Sequence, residues 1–491
     1  MRRPFHGVCG VLGIAALTAG CAINPVSGRP ELVLVSTSRE KQIGAEEAQK
    51  VERSVGLVDD AALSAYVTAV GQRLAAHSPR RDVEYRFFVA DMVEPNAFAL
   101  PGGYVYVSRG LLVLTNSEDE LAGVIGHEIG HVAARHAVQQ VSRAAPFAVV
   151  TNLTAAITGL ASPLLGELVG GVGDLASGLV LAPFNRDQER EADRIGQQLA
   201  AESGWDPAAI SNFLTSMGRE QALIGQKERR FDFLASHPST PERVANTRAF
   251  AATLQRAAMP PISADRAAFL GHLDGLVVGS PAANGVFDGQ SFLHPDLDFL
   301  LRFPDQWQTQ NSRANVIGVA PDRTALLVLD GVAAGDDPLV GARALEKASG
   351  APVVKQTEPL MLGDLKAART RLRARGEDGE LDLNLAWIAH DGHVYQLLGV
   401  TPLQRGDAFQ PLFDRVMRSF RPLRPAERAG IRETRLRVVT ARSGDTVDEI
   451  ANRSKTSWKP DMLAAANGLQ AGEPLTAGAL VKVAVVEPYR H

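Results

Sequence analysis

Cysteine is almost absent from this chain: two stand in 491 residues, Cys9 and Cys21. Cys9 lies in an N-terminal segment with the marks of a targeting peptide. Its removal leaves Cys21 without a partner, which excludes an intramolecular disulfide. A dominant charge is absent as well. Lys and Arg number 51 against 55 Asp and Glu, a formal net charge of -4. With no basic stretch interleaved with aromatics, nucleic acid is excluded as a partner. Long unbroken apolar runs are few. Val8 to Gly20 is too short for an ordinary membrane span. Ala144 to Phe184 has the hydropathy of a membrane hairpin, with no charged residue from Ala144 to Gly166. Pro146, Gly159, Pro163, Gly166, Gly170, Gly171 and Gly173 interrupt it, so it reads as a mobile apolar lid or a set of helical loops. Exposed apolar surface of that kind marks an interaction site. What is present, 45% hydrophobic and 22% charged residues, is the composition of a globular protein. The length implies about two to four domains.

Residues 1–20 read as a signal peptide. Met1-Arg2-Arg3 is basic, an apolar stretch follows, and Leu17-Thr18-Ala19-Gly20-Cys21 resembles a bacterial lipobox. Cleavage before Cys21 and acylation of its sulfur are expected. Ala22 after the cysteine resembles lipoproteins sent to the outer membrane. Residues 21–40 read as a tether, because Pro25, Gly28 and Pro30 break any helix.

The residues that carry chemistry begin at His127-Glu128-Ile129-Gly130-His131, inside the mostly apolar run Leu121 to Ala134. On a helix, side chains four apart share a face, so the two imidazoles can converge on one ion. Buried histidines need a partner, and a metal is the economical one. Zinc held by three protein ligands keeps a fourth position open and lowers the pKa of water there to about 7. Glu128 stands beside that position as a general base. Asn116-Ser117 followed by Glu120 supplies a capping-box start for the helix.

A carboxylate from elsewhere is needed to complete the ligand set. Asn185-Arg-Asp-Gln-Glu189-Arg-Glu191-Ala-Asp193 provides candidates, with Glu189 and Asp193 four apart on one helical face. One carboxylate can bind metal while the other accepts a hydrogen bond from a ligand histidine. Spacing alone leaves Glu189 and Glu191 both open.

His-Glu-x-x-His followed by Glu-x-Glu-Ala-Asp resembles the zinc metallopeptidase family of CaaX prenyl endopeptidases, HtpX-like heat-shock proteases and BepA-like periplasmic proteases, in its bacterial lipoprotein branch. Two further segments are similar to that family. Asn96 to Leu111 resembles its strand bordering the substrate cleft, and Ser236-His237-Pro-Ser-Thr-Pro-Glu-Arg243 resembles its element after the site. The similarity runs over roughly residues 22 to 255. It implies one Zn²⁺ per chain, held by His127, His131 and Glu189. It implies that Asp193 supports a ligand histidine and that Glu191 lies outside the site. It further implies that His237 can occupy the open zinc position as a switch and that Arg243 stabilises a developing oxyanion.

Beyond the peptidase domain, taken as 41–254, residues 255–289 are rich in Pro, Ala, Gly and Asp and read as a linker. Residues 290–425 alternate like strands, with helical stretches at Ala342 to Ser349 and Phe409 to Arg418. They predict an antiparallel sheet with flanking helices, faintly similar to PsbP-like or Mog1-like modules and without chemistry. His390 and His393 flank Asp391-Gly392 as a hairpin tip. Residues 433–486 resemble a LysM module, a βααβ unit that binds peptidoglycan glycans, which implies glycan contact at Gly444, Asp445, Thr446 and Asn467.

The expected whole is a multidomain α+β outer-membrane lipoprotein facing the periplasm. It would be a zinc metalloendopeptidase cutting unfolded or misfolded envelope proteins, with a tail that reaches peptidoglycan. Two alternatives stand beside it. One is an endopeptidase directed at peptidoglycan; the other is a chaperone-like assembly factor whose zinc site is occluded by His237.

Overall fold

The computed structural model describes residues 21–23, 28, 30–32, 35–140, 142, 183–224, 233–238, 240–313, 315–349, 353–376, 379–470 and 472–490. Residues 1–20, expected to be a signal peptide, lie outside the described residues, as does the apolar stretch Ala144 to Phe184 apart from Pro183 and Phe184. No helix among the described residues is long and apolar enough to cross a membrane.

Strands β1 (Cys21–Ile23) and β2 (Pro30–Leu32) pair at the start of the chain. The expected helical stretch from Arg39 to Ala76 is two helices, α1 (Thr37–Ser54) and α2 (Ala61–Ala75). Ser36 and Asp60 cap them by accepting backbone N–H groups with their side chains. Strands β3 (Arg86–Ala90), β4 (Ala97–Leu100) and β5 (Tyr104–Ser108) form a sheet in the order β3-β5-β4, which leaves β4 at an edge. Helix α3 (Arg109–Leu114) leads into α4 (Glu118–Ala133), the helix bearing His127 and His131. The capping box is present with an offset. Ser117 accepts from Glu120 N, but the Glu120 carboxylate bonds the N–H of Asn116 rather than of Ser117.

Helix α5 (Arg186–Glu202) starts on a full capping box between Asn185 and Gln188. It lies against α4 at a separation only glycine permits. A Cβ on Gly126 would stand 2.9 Å from Gly196 O, and one on Gly130 2.8 Å from Ala192 O. That close approach carries the carboxylates of α5 to the imidazoles of α4. Helices α6 (Ala209–Ile224), α7 (Phe233–Ser236) and α8 (Pro241–Ala251) close the domain. Thr240 caps α8, with Pro241 at its first position.

Residues 255–289 are not a linker. Helix α9 (Arg266–Leu273) buries Phe269, Leu270 and Leu273 in the same apolar core as Leu121, Ile125 and Phe213. Burial of such side chains contributes roughly 1.5–3 kcal/mol each, which fixes the segment to the domain that bears α4. Its short apolar stripe is masked in sequence by the Pro, Ala and Gly around it.

Two sheets then follow. Strands β6 (Val286–Asp288), β7 (Ser291–His294) and β8 (Phe299–Arg302) precede β9 (Gln308–Asn311), β10 (Asn315–Val319) and β11 (Leu326–Ala334). After helix α10 (Pro338–Ser349) come β12 (Val353–Leu362), β13 (Leu365–Gly376), β14 (Gly379–His390) and β15 (His393–Pro402). Helix α11 (Gly406–Ser419) and β16 (Arg421–Pro422) end this region. The larger sheet is antiparallel, in the order β12-β13-β14-β15-β11-β10-β9. Helix α10 packs on one face around Trp387, and α11 packs on the other through Phe413 and Met417. The sheet with flanking helices expected from the alternating pattern is therefore present. His390 and His393 pair across the turn, where Asp391 and Gly392 take positive φ, as a hairpin tip requires.

The tail follows helix α12 (Pro425–Gly430) as β17 (Arg432–Thr440), α13 (Val447–Ser454), α14 (Pro460–Ala466) and β18 (Leu480–Pro488), a βααβ unit with its strands antiparallel. It does not stand apart. Leu436 and Ala466 join the apolar core around α4, and residues 275–278 bond the β17 backbone. Lys482 is fully buried, and its ammonium donates to the carbonyls of Val113 and Thr115 at 2.7 and 2.6 Å. Those are C-terminal carbonyls of α3, where a cation is favoured.

Candidate active site

His127, His131, Glu189 and His237 converge, with one ligand atom from each lying within 4.8 Å of the others, and all four are buried. His127 Nε2 stands 3.0 Å from His131 Nε2 and 3.2 Å from His237 Nδ1. Glu189 Oε1 lies 2.9 Å from His237 Nδ1 and 3.4 Å from His131 Nε2. Tetrahedral zinc with bonds of about 2.0–2.1 Å sets neighbouring ligand atoms about 3.3 Å apart, so the residues fit that ion. The donor chemistry agrees. His127 Nε2 faces two imidazole nitrogens at once, and one proton can serve only one of those contacts. A divalent cation serves them all.

Glu128 follows His127 on α4, and its Oε1 lies 3.6 Å from His237 Nε2. Among the described residues that oxygen has no hydrogen-bond partner. Burial pushes the Glu128 carboxyl up from its ordinary range, an effect only partly offset by His237 and His127. Burial acts the same way on Glu189, but His237, His131 and His127 outweigh it and hold that carboxyl well below the usual range. His131 is driven well below its ordinary value, chiefly by burial, which keeps the ring neutral as a ligand must be.

Asp193 stands where the spacing puts it, with Oδ1 2.9 Å from His127 Nδ1. Arg243 does not face an open position. Its Nε and Nη2 donate to the two Asp193 oxygens at 2.8 and 2.7 Å. Its Nη1 reaches Glu189 Oε2 at 2.7 Å and the His237 carbonyl at 3.1 Å. With its N–H groups so committed, Arg243 holds the carboxylates in place rather than presenting a donor to an oxyanion. The bidentate geometry explains the commitment.

Spacing gave no reason to expect two aromatic walls. The ring of Phe184 stacks on His131 with centroids 4.0 Å apart, and Phe233 stacks on His237 at 4.6 Å. Nor did it assign a role to His136, whose Nδ1 lies 2.9 Å from His131 Nδ1.

In the tail the residues expected at glycan are engaged locally. Asp445 accepts from Arg442 N and pairs with Arg453. Thr446 caps α13, and Gly444 takes positive φ in the turn before it. Asn467 is buried, bonded to Leu463 O and to both backbone groups of Lys482. Cys21 lies in β1, and its side chain is outside the description. A cavity of about 360 Å³ opens between the larger sheet and α11, far from α4 in sequence. Its cations Lys355, Arg369 and Arg371 are paired with Glu358, Asp382, Asp407 and Asp414.

Residues 61–251 match the family described as Peptidase family M48. The beta-barrel assembly-enhancing protease of Escherichia coli K12 is 33% identical over 219 residues, 44% of this chain and 44% of that protein. The mitochondrial metalloendopeptidase OMA1 of Schizosaccharomyces pombe is 33% identical over 223 residues, 45% of this chain and 63% of that one. Metalloprotease YcaL of Escherichia coli is 30% identical over 166 residues, 34% of this chain and 61% of that one. The chain thus spans less than half the length of the first of these relatives. Among solved structures, the cyanobacterial PsbP of Synechocystis sp. PCC 6803 is 16% identical, covering 30% of this chain and 98% of that one, with a TM-score of 0.23, too low to assign a fold. The buried His127, His131 and Glu189 are set on two helices inside the stretch that matches this metallopeptidase family.

Proposed function

We propose that the protein is a zinc metalloendopeptidase of the bacterial cell envelope that cleaves extended, unfolded or misfolded polypeptides. The observation carrying this reading is the convergence of His127, His131 and Glu189, with a Glu128 oxygen beside them that has no hydrogen-bond partner among the described residues. Zinc, when bound, supplies Lewis acidity and makes water more acidic. Glu128, with its basicity raised by burial, takes the proton from the attacking water and later delivers it to the leaving amine. Asp193 keeps His127 in the tautomer that frees Nε2 for the metal, and Arg243 keeps Asp193 ionised while contacting Glu189. Strand β4 has an edge with no neighbouring strand among the described residues, where an extended substrate can add as a strand, which would select against folded proteins.

An envelope location is supported by the names of the bacterial relatives, and anchoring through acylated Cys21 rests on the Leu17–Cys21 motif. A latent resting state has its own support. His237 Nδ1 stands among the ligand atoms, and a fourth protein ligand would fill the position that catalysis needs open. Zymography on casein and on purified wall sacculi, with Glu128→Gln as control, tests the assignment. Cleavage of casein alone, lost in the variant, is expected. Cleavage of sacculi alone would redirect the substrate to peptidoglycan, and no cleavage of either by zinc-loaded protein would favour the assembly-factor reading.

A further inference from the structure

His127 is anchored through Nδ1 by a carboxylate, but His131 is not. Its Nδ1 meets another imidazole, His136 Nδ1, at 2.9 Å, and His136 Nε2 lies 3.2 Å from Glu191 Oε2. His136 is fully buried, and Glu191 sits on α5 two residues beyond the Glu189 ligand.

The backbone is bent to make this contact. Residues five apart on a continuous α-helix lie about 140° apart around the axis and do not share a face. Helix α4 ends at Ala133, Arg135 takes a left-handed φ of 59°, and residues 136–140 are helical again. This break folds the His136 ring back onto His131. A left-handed arginine is unfavourable by itself and persists only where its surroundings hold it. Here the Arg135 guanidinium is fixed by Glu40, which is in turn paired with buried Arg80, and by the Val35 carbonyl.

The proton pattern along the chain has one consistent solution. If His131 gives Nε2 to the metal, its proton is on Nδ1 and is donated to His136 Nδ1. His136 then carries its own proton on Nε2 and donates it to Glu191. Each donor meets an acceptor, and a negative charge ends the series.

We propose that His136 and Glu191 are positioning residues that fix the tautomer and ring plane of His131 for metal binding. They match in role what Asp193 does for His127. The sequence resemblance placed Glu191 outside the site; the structure gives it this supporting role through His136. The proposal rests on the reading of His127, His131 and Glu189 as metal ligands.

Loss of such outer partners weakens metal affinity by about 10–100-fold. The test is zinc affinity by chelator competition on the full chain, together with the melting temperature of the metal-free protein. His136→Leu fills the space without an acceptor and is expected to weaken zinc binding in that range. His136→Asn puts Oδ1 near the lost Nδ1 and is expected to recover most of it. Glu191→Ala, a partly exposed site that folding tolerates, is expected to weaken zinc severalfold, with Glu191→Gln closer to wild type. Metal-free melting temperatures should differ little between the Leu and Asn variants. Wild-type affinity in both His136→Leu and Glu191→Ala would overturn the proposal. So would equal weakening in the Leu and Asn variants. A wild-type protein that binds no zinc would instead remove the metal reading beneath it.

Discussion

Two buried polar clusters sit on the same helix and differ in one respect. At the start of α4, the Glu118 carboxylate accepts hydrogen bonds from Tyr66 Oη, Trp205 Nε1 and the backbone N–H groups of Ile262 and Ser263. Burial opposes its ionisation, yet those donors outweigh burial and hold the carboxyl below its usual range. About 14 Å along the axis, at 1.5 Å per residue, the second cluster is built the other way. Imidazole nitrogens face one another, and Glu128 Oε1 has no donor among the described residues. A carboxylate whose oxygens meet donors in this way is finished and serves the fold. A cluster whose lone pairs converge is one that a cation can complete. The same desolvation therefore stabilises structure at one end of α4 and prepares a site near the other.

The contrast can be broken by exchanging what each cluster loses. Glu128→Gln should lower casein cleavage by at least about 100-fold, the scale of general-base catalysis, while zinc content and melting temperature persist. Substantial cleavage by the zinc-loaded variant would remove Glu128 from the mechanism. Glu118→Gln should do the reverse. Its new amide group opposes the donors of Tyr66, Trp205, Ile262 and Ser263, at a cost of about 3 kcal/mol in urea unfolding, with zinc retained in the folded fraction. Unchanged stability would show that this cluster is not structural.

A smaller effect, a severalfold rise in casein cleavage, is expected of His237→Ala with zinc still bound. That variant opens the position His237 can fill. A fully metallated but inactive variant would instead assign His237 to substrate or transition state. The smallest effect concerns a histidine outside both clusters. His294 is neutral, accepts from Leu297 N, and is pushed down by burial to about 4. A depressed histidine contributes stability that is present above its unfolded pKa of about 6.5 and lost as pH falls toward 4, by at most about 1.4 kcal/mol per pH unit. His294→Asn should flatten that slope; an unchanged slope would place the acid sensitivity elsewhere.

What the sequence made legible was local. Ser117 with Glu120, the four-residue spacing of His127 and His131, and that of Glu189 and Asp193 all act within a turn or two of helix. The strands of residues 290–425 showed themselves by alternation. What escaped was set by distant packing. The stripe Phe269, Leu270, Leu273 is too short to outweigh the breakers around it, and only the peptidase core gives it a partner. Lys482 reads as a surface residue of a strand until Val113 and Thr115 are seen beneath it. His136 is five residues from His131, a spacing that argues against contact unless Arg135 is known to break the helix. Arg243 lies beside Asp193 and Glu189, and its orientation depends on those carboxylates, fifty residues or more away on α5.

The most direct test is zinc per folded chain, by elemental analysis of the wild type, Glu189→Ala and Glu118→Gln, beside their unfolding midpoints. One zinc is expected in the wild type and in folded Glu118→Gln. Glu189→Ala is expected to bind well below one zinc while its metal-free form is no less stable than the metal-free wild type, because the residue removed belongs to a site that serves the metal and not the fold. Stoichiometric zinc in Glu189→Ala, or collapse of its metal-free fold, would contradict the division between the two clusters.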